Sequence, residues 1–119
     1  MTLDFYWYPK CSTCRKAKKW LEEHQVNFNE VHIVEHPPTK DEIASFYEKS
    51  GLELKKFFNT SGQKYRQLGI KDKLATMSED EMIELLASDG MLLKRPIVVG
   101  EHAVTIGFKE EQYEQTWGV

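Results

Sequence analysis

An alternating run at residues 2–7, with Leu3, Phe5 and Trp7 set against Thr2, Asp4 and Tyr6, leads directly into a helix-like run beginning at Ser12. Alternation of period two marks a strand, and Ala17, Trp20 and Leu21 fall at helical spacing, which predicts a helix over about residues 12–24. A second strand is predicted at 26–34, where Val31 and Ile33 oppose Glu30 and His32. Strand, helix and strand in sequence form a β-α-β unit, whose strands should be parallel and whose crossover should be right-handed.

The middle of the chain, residues 38–90, reads as a helical block. Thr39-Lys40-Asp41-Glu42 is a capping box, followed by Ile43, Phe46 and Tyr47 on one face and stopped at Ser50-Gly51. A short amphipathic piece at 52–58 precedes the turn Asn59-Thr60-Ser61-Gly62, and 64–68 forms another helical turn before Gly69. Ser78-Glu79-Asp80-Glu81 is a second capping box, leading into Met82, Ile83, Leu85 and Leu86 and closing at Asp89-Gly90. Strand character then returns. Ile97-Val98-Val99, the turn Gly100-Glu101-His102 and Ala103-Val104-Thr105-Ile106 read as a hairpin, followed by a last helix over about 109–116. A β-α-β half joined through helices to a β-β-α half is the thioredoxin-like plan: an α/β fold with a mixed four-stranded sheet and an inserted helical region.

The chain's two cysteines, Cys11 and Cys14, lie where the first strand hands over to the first helix. A thiol at a helix start faces unpaired backbone N–H groups and the positive end of the macrodipole, both of which favour thiolate. Lys10 and Arg15 add cations nearby, and Ser12 and Thr13 fill the motif. Two cysteines three apart can close a small disulfide, so Cys11 is the expected nucleophile and Cys14 the resolving thiol. A purely structural disulfide would close so short a loop that its entropic contribution is only about 2 kcal/mol. Zinc binding is an alternative, because Cys11, Cys14, His32 and His36 spell C-x2-C-x17-H-x3-H. Against it stand the long central spacer, the break at Pro37-Pro38 and the strand character of 26–34; no metal is expected. Inert core thiols are the remaining alternative.

At 119 residues the chain is expected to form one domain over 1–119, with the helical insertion at about 38–90. No apolar run approaches bilayer length, and the N-terminal MTLDFYWYPK lacks the pattern of a signal peptide, so a cytoplasmic protein without membrane contact is expected. In a reducing compartment a cysteine pair is more often catalytic, sensing or metal-bound than structural. Net charge is −3, which gives no global basic field for direct nucleic-acid binding. Trp7 and Trp20 are expected core aromatics, Trp7 also able to line the cysteine site, and Trp117 is expected to pack the last helix. His24 is expected at a helix C-terminus as a dipole partner, and His102 in a solvated turn.

Lys94-Arg95-Pro96-Ile97 is a second constellation. Pro96 starts the third strand, where a missing N–H is tolerated, and in the thioredoxin-like plan this point lies beside the thiols. An arginine there would stabilise a thiolate or hold an oxyanion bidentately. Cys11-Ser12-Thr13-Cys14-Arg15-Lys16-Ala17, Pro37-Pro38-Thr39-Lys40-Asp41-Glu42, the stretch 65–69 and Arg95-Pro96-Ile97-Val98-Val99 together resemble the glutaredoxin-coupled arsenate reductase and Spx family, nearly end to end. The resemblance implies a thioredoxin-like fold with an inserted helical region, a cis Pro96 and thiol-disulfide oxidoreductase chemistry on a small-molecule or protein disulfide, or on an oxyanion. It implies no bound cofactor, with glutathione or another thiol as reductant and glutaredoxin or thioredoxin as a partner. In the arsenate reductases three arginines hold the oxyanion; Arg95 matches one, while about Asn59 and about Phe108, with Lys109 adjacent, stand at the others. Each missing charge-assisted hydrogen bond forfeits roughly 1.5–3 kcal/mol, which weighs against arsenate itself. Cys14 supplies an internal resolving thiol, as in Spx-type proteins. The alternative the resemblance implies is therefore a redox-sensing regulator binding the RNA polymerase alpha subunit. The chain ends at Val119 without the basic extension of those regulators, and their contact-surface glycine aligns loosely with Gly51.

Overall fold

A computed structural model describes residues 2–118. Its strands are β1 (Leu3–Trp7), β2 (Phe28–His32), β3 (Ile97–Val99) and β4 (Val104–Ile106). Its α-helices are α1 (Ser12–Glu23), α2 (Lys40–Ser50), α3 (Gln63–Gln67), α4 (Ile70–Lys73), α5 (Glu79–Ser88) and α6 (Glu110–Trp117). Two compact units emerge, one from Met1–His32 with Arg95–Val119, the other from Ile33–Lys94. Among the described residues no helix is long and apolar enough to cross a membrane.

The first unit is built on one mixed sheet of order β2-β1-β3-β4. β1 and β2 pair in parallel, joined through α1, whereas β1 with β3 and β3 with β4 pair antiparallel. Leu3 and Phe5, alternate residues of β1, join Val98 of β3 in a core with Ala17, Trp20 and Leu21 of α1 and Tyr113 and Trp117 of α6. Trp20 meets Tyr113 edge to face at 5.4 Å between centroids, an arrangement the ring quadrupoles favour. Two of the three aromatics with polar tips are satisfied inside this core, while Trp20 Nε1 is buried with no hydrogen-bond partner among the described residues. Tyr113 donates to the Gly107 carbonyl at 3.0 Å, and Trp117 Nε1 donates to Thr105 Oγ1 at 3.0 Å. Trp117 lies so close to the β3–β4 turn that a Cβ on Gly100 would come within 2.6 Å of its ring, so the turn accepts only glycine here.

Sequence pattern and observed boundaries differ where tertiary pairing sets the limit. The strand expected at 26–34 is only Phe28–His32, because it is an edge strand whose register runs from Leu3↔Phe28 to Trp7↔His32 and ends with β1. Ile33 is fully buried but belongs to the second unit. The last helix begins at Glu110 rather than 109 and includes Trp117; Lys109 is its N-cap in extended backbone and makes no side-chain capping bond. Phe108 instead packs edge to face on Tyr113 at 4.8 Å, a hydrophobic staple between the positions flanking the cap and the fourth helical residue.

α1 ends as its sequence suggests. His24 caps it, with ring Nδ1 2.8 Å from the Trp20 carbonyl and the ring stacked on Trp20 at 3.9 Å. Gln25 follows at φ 57°, the one non-glycine residue at positive φ among those described. A side chain in this left-handed region costs roughly 1–2 kcal/mol, and glycine gives back part of that through unfolded-state entropy. Gln25→Gly is therefore expected to stabilise the fold by about 0.5–1 kcal/mol, read as a higher urea midpoint at unchanged slope. A lower midpoint would count against the assigned cap geometry.

The second unit is helical. Both capping boxes form: Thr39 with Glu42 at α2 and Ser78 with Glu81 at α5, each with reciprocal side chain to backbone bonds. Gly51 closes α2 at φ 67°, and α2 packs against α5. The amphipathic piece at 52–58 is a 3-10 turn, Leu54–Phe57, after which Phe58 pairs with Leu93 in an isolated bridge. α4 and the 3-10 turn Leu74–Thr76 fall inside the helical block expected at 38–90, although single turns bearing Ile70 and Leu74 inward show no helical repeat of their own.

Candidate functional site

Cys11 is the N-cap of α1, with extended backbone (φ −91°, ψ 117°), so its side chain stands where a Ser or Asp oxygen usually accepts from the first turn. Its Sγ accepts from the Cys14 backbone N–H at 3.4 Å. The thiol thus serves as the helix cap, an arrangement that favours negative charge on sulfur. No acidic residue lies in the first turn of α1 to oppose it. Cys11 is half-buried and Cys14, one turn in, is fully buried; both are free thiols.

Arg95 reaches this point through strand register. β3 runs antiparallel to β1 with Tyr6 opposite Ile97, so continuing the pairing sets Arg95 opposite Tyr8, just beyond the end of β1. The guanidinium carbon lies 5.0 Å from the centre of the Tyr8 ring, within cation–π range. Tyr8 in turn meets His32 of β2 edge to face at 5.6 Å, and its carbonyl accepts from the Cys11 N–H at 3.0 Å. The peptide bond joining Arg95 to Pro96 is cis, and the buried Pro96 carbonyl accepts from Gly107 N–H at 2.8 Å.

The two thiols titrate in opposite directions. Partial burial opposes ionisation of Cys11, but hydrogen bonds from the Cys14 thiol and backbone N–H, with a hydrogen bond and charge from Arg95, overcome it and hold Cys11 below the ordinary 9.0. Burial pushes Cys14 up to about 12; a backbone hydrogen bond from Tyr8 only partly offsets it, and the neighbouring Cys11 raises it further. Arg95→Ala should raise the Cys11 pKa and slow its reaction with anionic disulfides roughly tenfold, one charge-assisted hydrogen bond discounted for solvent. Arg95→Lys keeps the charge without the planar fork and should fall between. An unchanged thiol titration in Arg95→Ala, with circular dichroism intact, would remove Arg95 from the site.

Of the other expected site residues, Lys10, Ser12, Thr13 and Arg15 are exposed around the start of α1. Lys109 is exposed at the N-cap of α6. Asn59 belongs to the helical unit, where its N–H donates to the Leu92 carbonyl at 2.8 Å and its own carbonyl accepts from Gly62. Tyr8 is a further site residue, at which the sequence only hints: an aromatic at a strand end three residues before a nucleophilic cysteine. Among the described residues no three His, Cys, Asp or Glu side chains gather as a metal-binding set.

Residues 6–116 match the ArsC family. The chain is 67% identical over 98% of its length to the uncharacterized protein YusI of Bacillus subtilis (strain 168), covering 99% of that protein. It is 32% identical over 87% of its length to the global transcriptional regulator Spx of Streptococcus pyogenes serotype M1, covering 76% of it. Among solved structures, an ArsC-family-related protein from Bacteroides fragilis is 50% identical with a TM-score of 0.94, covering 97% of each chain. A protein described as a possible arsenate reductase from Streptococcus mutans UA159 is 52% identical with a TM-score of 0.86, over 94% of this chain and 97% of that one. With its mixed sheet, its helical second unit and a matched segment of this extent, the chain belongs to the ArsC family.

Proposed function

We propose that the protein is a thiol-disulfide oxidoreductase in which Cys11 attacks and Cys14 resolves. The carrying observation is the pairing of a half-exposed, charge-favoured Cys11 at a helix N-cap with a buried, neutral Cys14 directly behind it. The Cys11 thiolate attacks one sulfur of a substrate disulfide, forming a mixed disulfide and expelling the other sulfur as a thiolate that takes up a proton. Cys14 then loses its proton and attacks Cys11 Sγ, releasing the second substrate thiol and leaving a Cys11–Cys14 disulfide. Two electrons and two protons from glutathione, or from a dithiol protein such as glutaredoxin or thioredoxin, restore the starting state. No bound cofactor enters this cycle. Lys10, Ser12, Thr13 and Arg15 would meet the substrate around the exposed face of Cys11, with Pro96 shaping the site beside Arg95. Asn59 and Lys109 are further candidates for substrate contact that the family resemblance alone implies. An oxyanion would find one guanidinium in Arg95, which favours disulfides over arsenate as substrate.

The Spx relative supports a second reading, since its name is that of a transcriptional regulator. In that reading the same Cys11–Cys14 disulfide is a sensor state, and the partner is the RNA polymerase alpha subunit. The deciding experiment gives purified protein a small disulfide or arsenate, with glutathione and glutaredoxin, and measures turnover beside binding of purified alpha subunit. Multiple turnovers of disulfide support the oxidoreductase. Stoichiometric, redox-dependent binding of alpha subunit without turnover supports the regulator and overturns the first reading.

A further inference from the structure

The helical unit contains a cavity of about 470 Å³, within the size range of small-molecule sites, to which neither cysteine contributes a wall. Its rim is cationic for a local reason. In the 3-10 turn Leu54–Phe57 the buried Leu54 and Phe57 eclipse each other at i and i+3, which leaves Lys55 and Lys56 outside. The Lys94 N–H donates to the Phe57 carbonyl at 2.8 Å and so brings a third lysine to the same rim. Lys71, exposed on α4, is the fourth. None of these four forms an ion pair among the described residues, and Glu53 is the sole carboxylate lining the cavity. This concentration runs against the chain as a whole, which carries 16 Lys and Arg against 19 Asp and Glu. The floor is apolar, with Phe58 and Tyr65 6.1 Å apart and Leu74 beside them.

We propose that this cavity is a second binding site, for a small phosphate ester carrying an apolar ring, of the nucleoside diphosphate kind. Four unpaired ammonium groups around one concavity repel one another, and a multiply charged anion removes that repulsion. An isolated phosphate would use only the rim, while the ring covers the Phe58, Tyr65 and Leu74 floor. The cavity's volume suits one such molecule rather than a folded partner.

The test is calorimetric titration of the full chain with ADP, alongside pyrophosphate, adenosine and an aspartate-rich peptide. One ADP should bind per chain, at least about tenfold more tightly than pyrophosphate or adenosine, and raising salt from about 50 to 500 mM should weaken it about tenfold. Lys56→Glu with Lys71→Glu should lower the ADP affinity at least about tenfold, whereas Lys73→Glu, outside the rim, should change it less than about twofold. Glu53→Gln should tighten binding, because the nearby like charge is removed. These side chains are exposed, so the variants keep their fold, checked by circular dichroism, and the alkylation rate of Cys11 should not change. The proposal is overturned if ADP gives no heat at millimolar concentration, or if the double lysine variant binds it unchanged. Equal affinity for pyrophosphate and ADP, or tighter binding of the acidic peptide, also overturns it.

Discussion

Cys11→Ser is expected to abolish disulfide turnover, by at least about a thousandfold, while Cys14→Ser still makes the first attack and stops at a mixed disulfide. The two losses differ because the residues act at different steps. Serine at position 11 could still cap α1 with its oxygen, so the helix and the fold should survive and the loss should be chemical. An alkoxide is not available near neutral pH, and a hydroxyl does not exchange with a disulfide. Serine at 14 keeps the backbone N–H that donates to Cys11 Sγ, so Cys11 should remain reactive. Its hydroxyl is also a donor, so the first attack should keep a rate close to that of the wild type. Intact-mass spectrometry after mixing with a small disulfide should show the adduct accumulating on Cys14→Ser and none on Cys11→Ser. Full turnover by Cys14→Ser with glutathione would show that an external thiol resolves the adduct and that Cys14 is dispensable.

The parts of this site that are local in sequence were legible in it. Cys11 as a helix start, the two capping boxes and the alternation of β1 all depend on residues within a few positions of one another. What depended on pairing partners was not. The length of β2 is set by β1, and the placing of Arg95 over the Tyr8 ring follows from the Tyr6↔Ile97 register, which no local pattern encodes. Arg95 is reachable from the sequence through the fold plan and the family resemblance, whereas the place of the Tyr8 ring is set only by folding. The cationic rim is hidden for the same reason, since Lys55 and Lys56 of one turn meet Lys71 of α4 and Lys94 only on folding. α4 shows the limit for short elements: one turn has too few positions to establish a helical period.

Alkylation near pH 7 is expected to label Cys11 almost exclusively. The helix cap and Arg95 hold Cys11 below the ordinary thiol value while burial pushes Cys14 up to about 12, so near pH 7 the thiolate lies overwhelmingly on Cys11. The lower intrinsic nucleophilicity of a more acidic thiol returns part of that preference, and the full burial of Cys14 adds to it through access. Peptide mapping after a brief pulse of iodoacetamide reads the ratio directly. The same opposition makes a stability prediction. Cys11 gives up its proton more readily folded than unfolded, so its contribution is present above the unfolded pKa and is lost as pH falls through the lower folded value. Cys14 does the reverse. The unfolded chain releases that proton near 9 and the folded chain only near 12, so the reduced protein should lose stability steadily across that window. Oxidation to the Cys11–Cys14 disulfide removes both ionisations, so the alkaline decline should shrink, as it should in Cys14→Ser. Denaturant midpoints between about pH 8 and 11 on reduced, oxidised and Cys14→Ser protein test this. Equal labelling of both thiols at pH 7, with the same alkaline decline in all three forms, would mean that the two sulfurs are not held apart by burial and the helix cap.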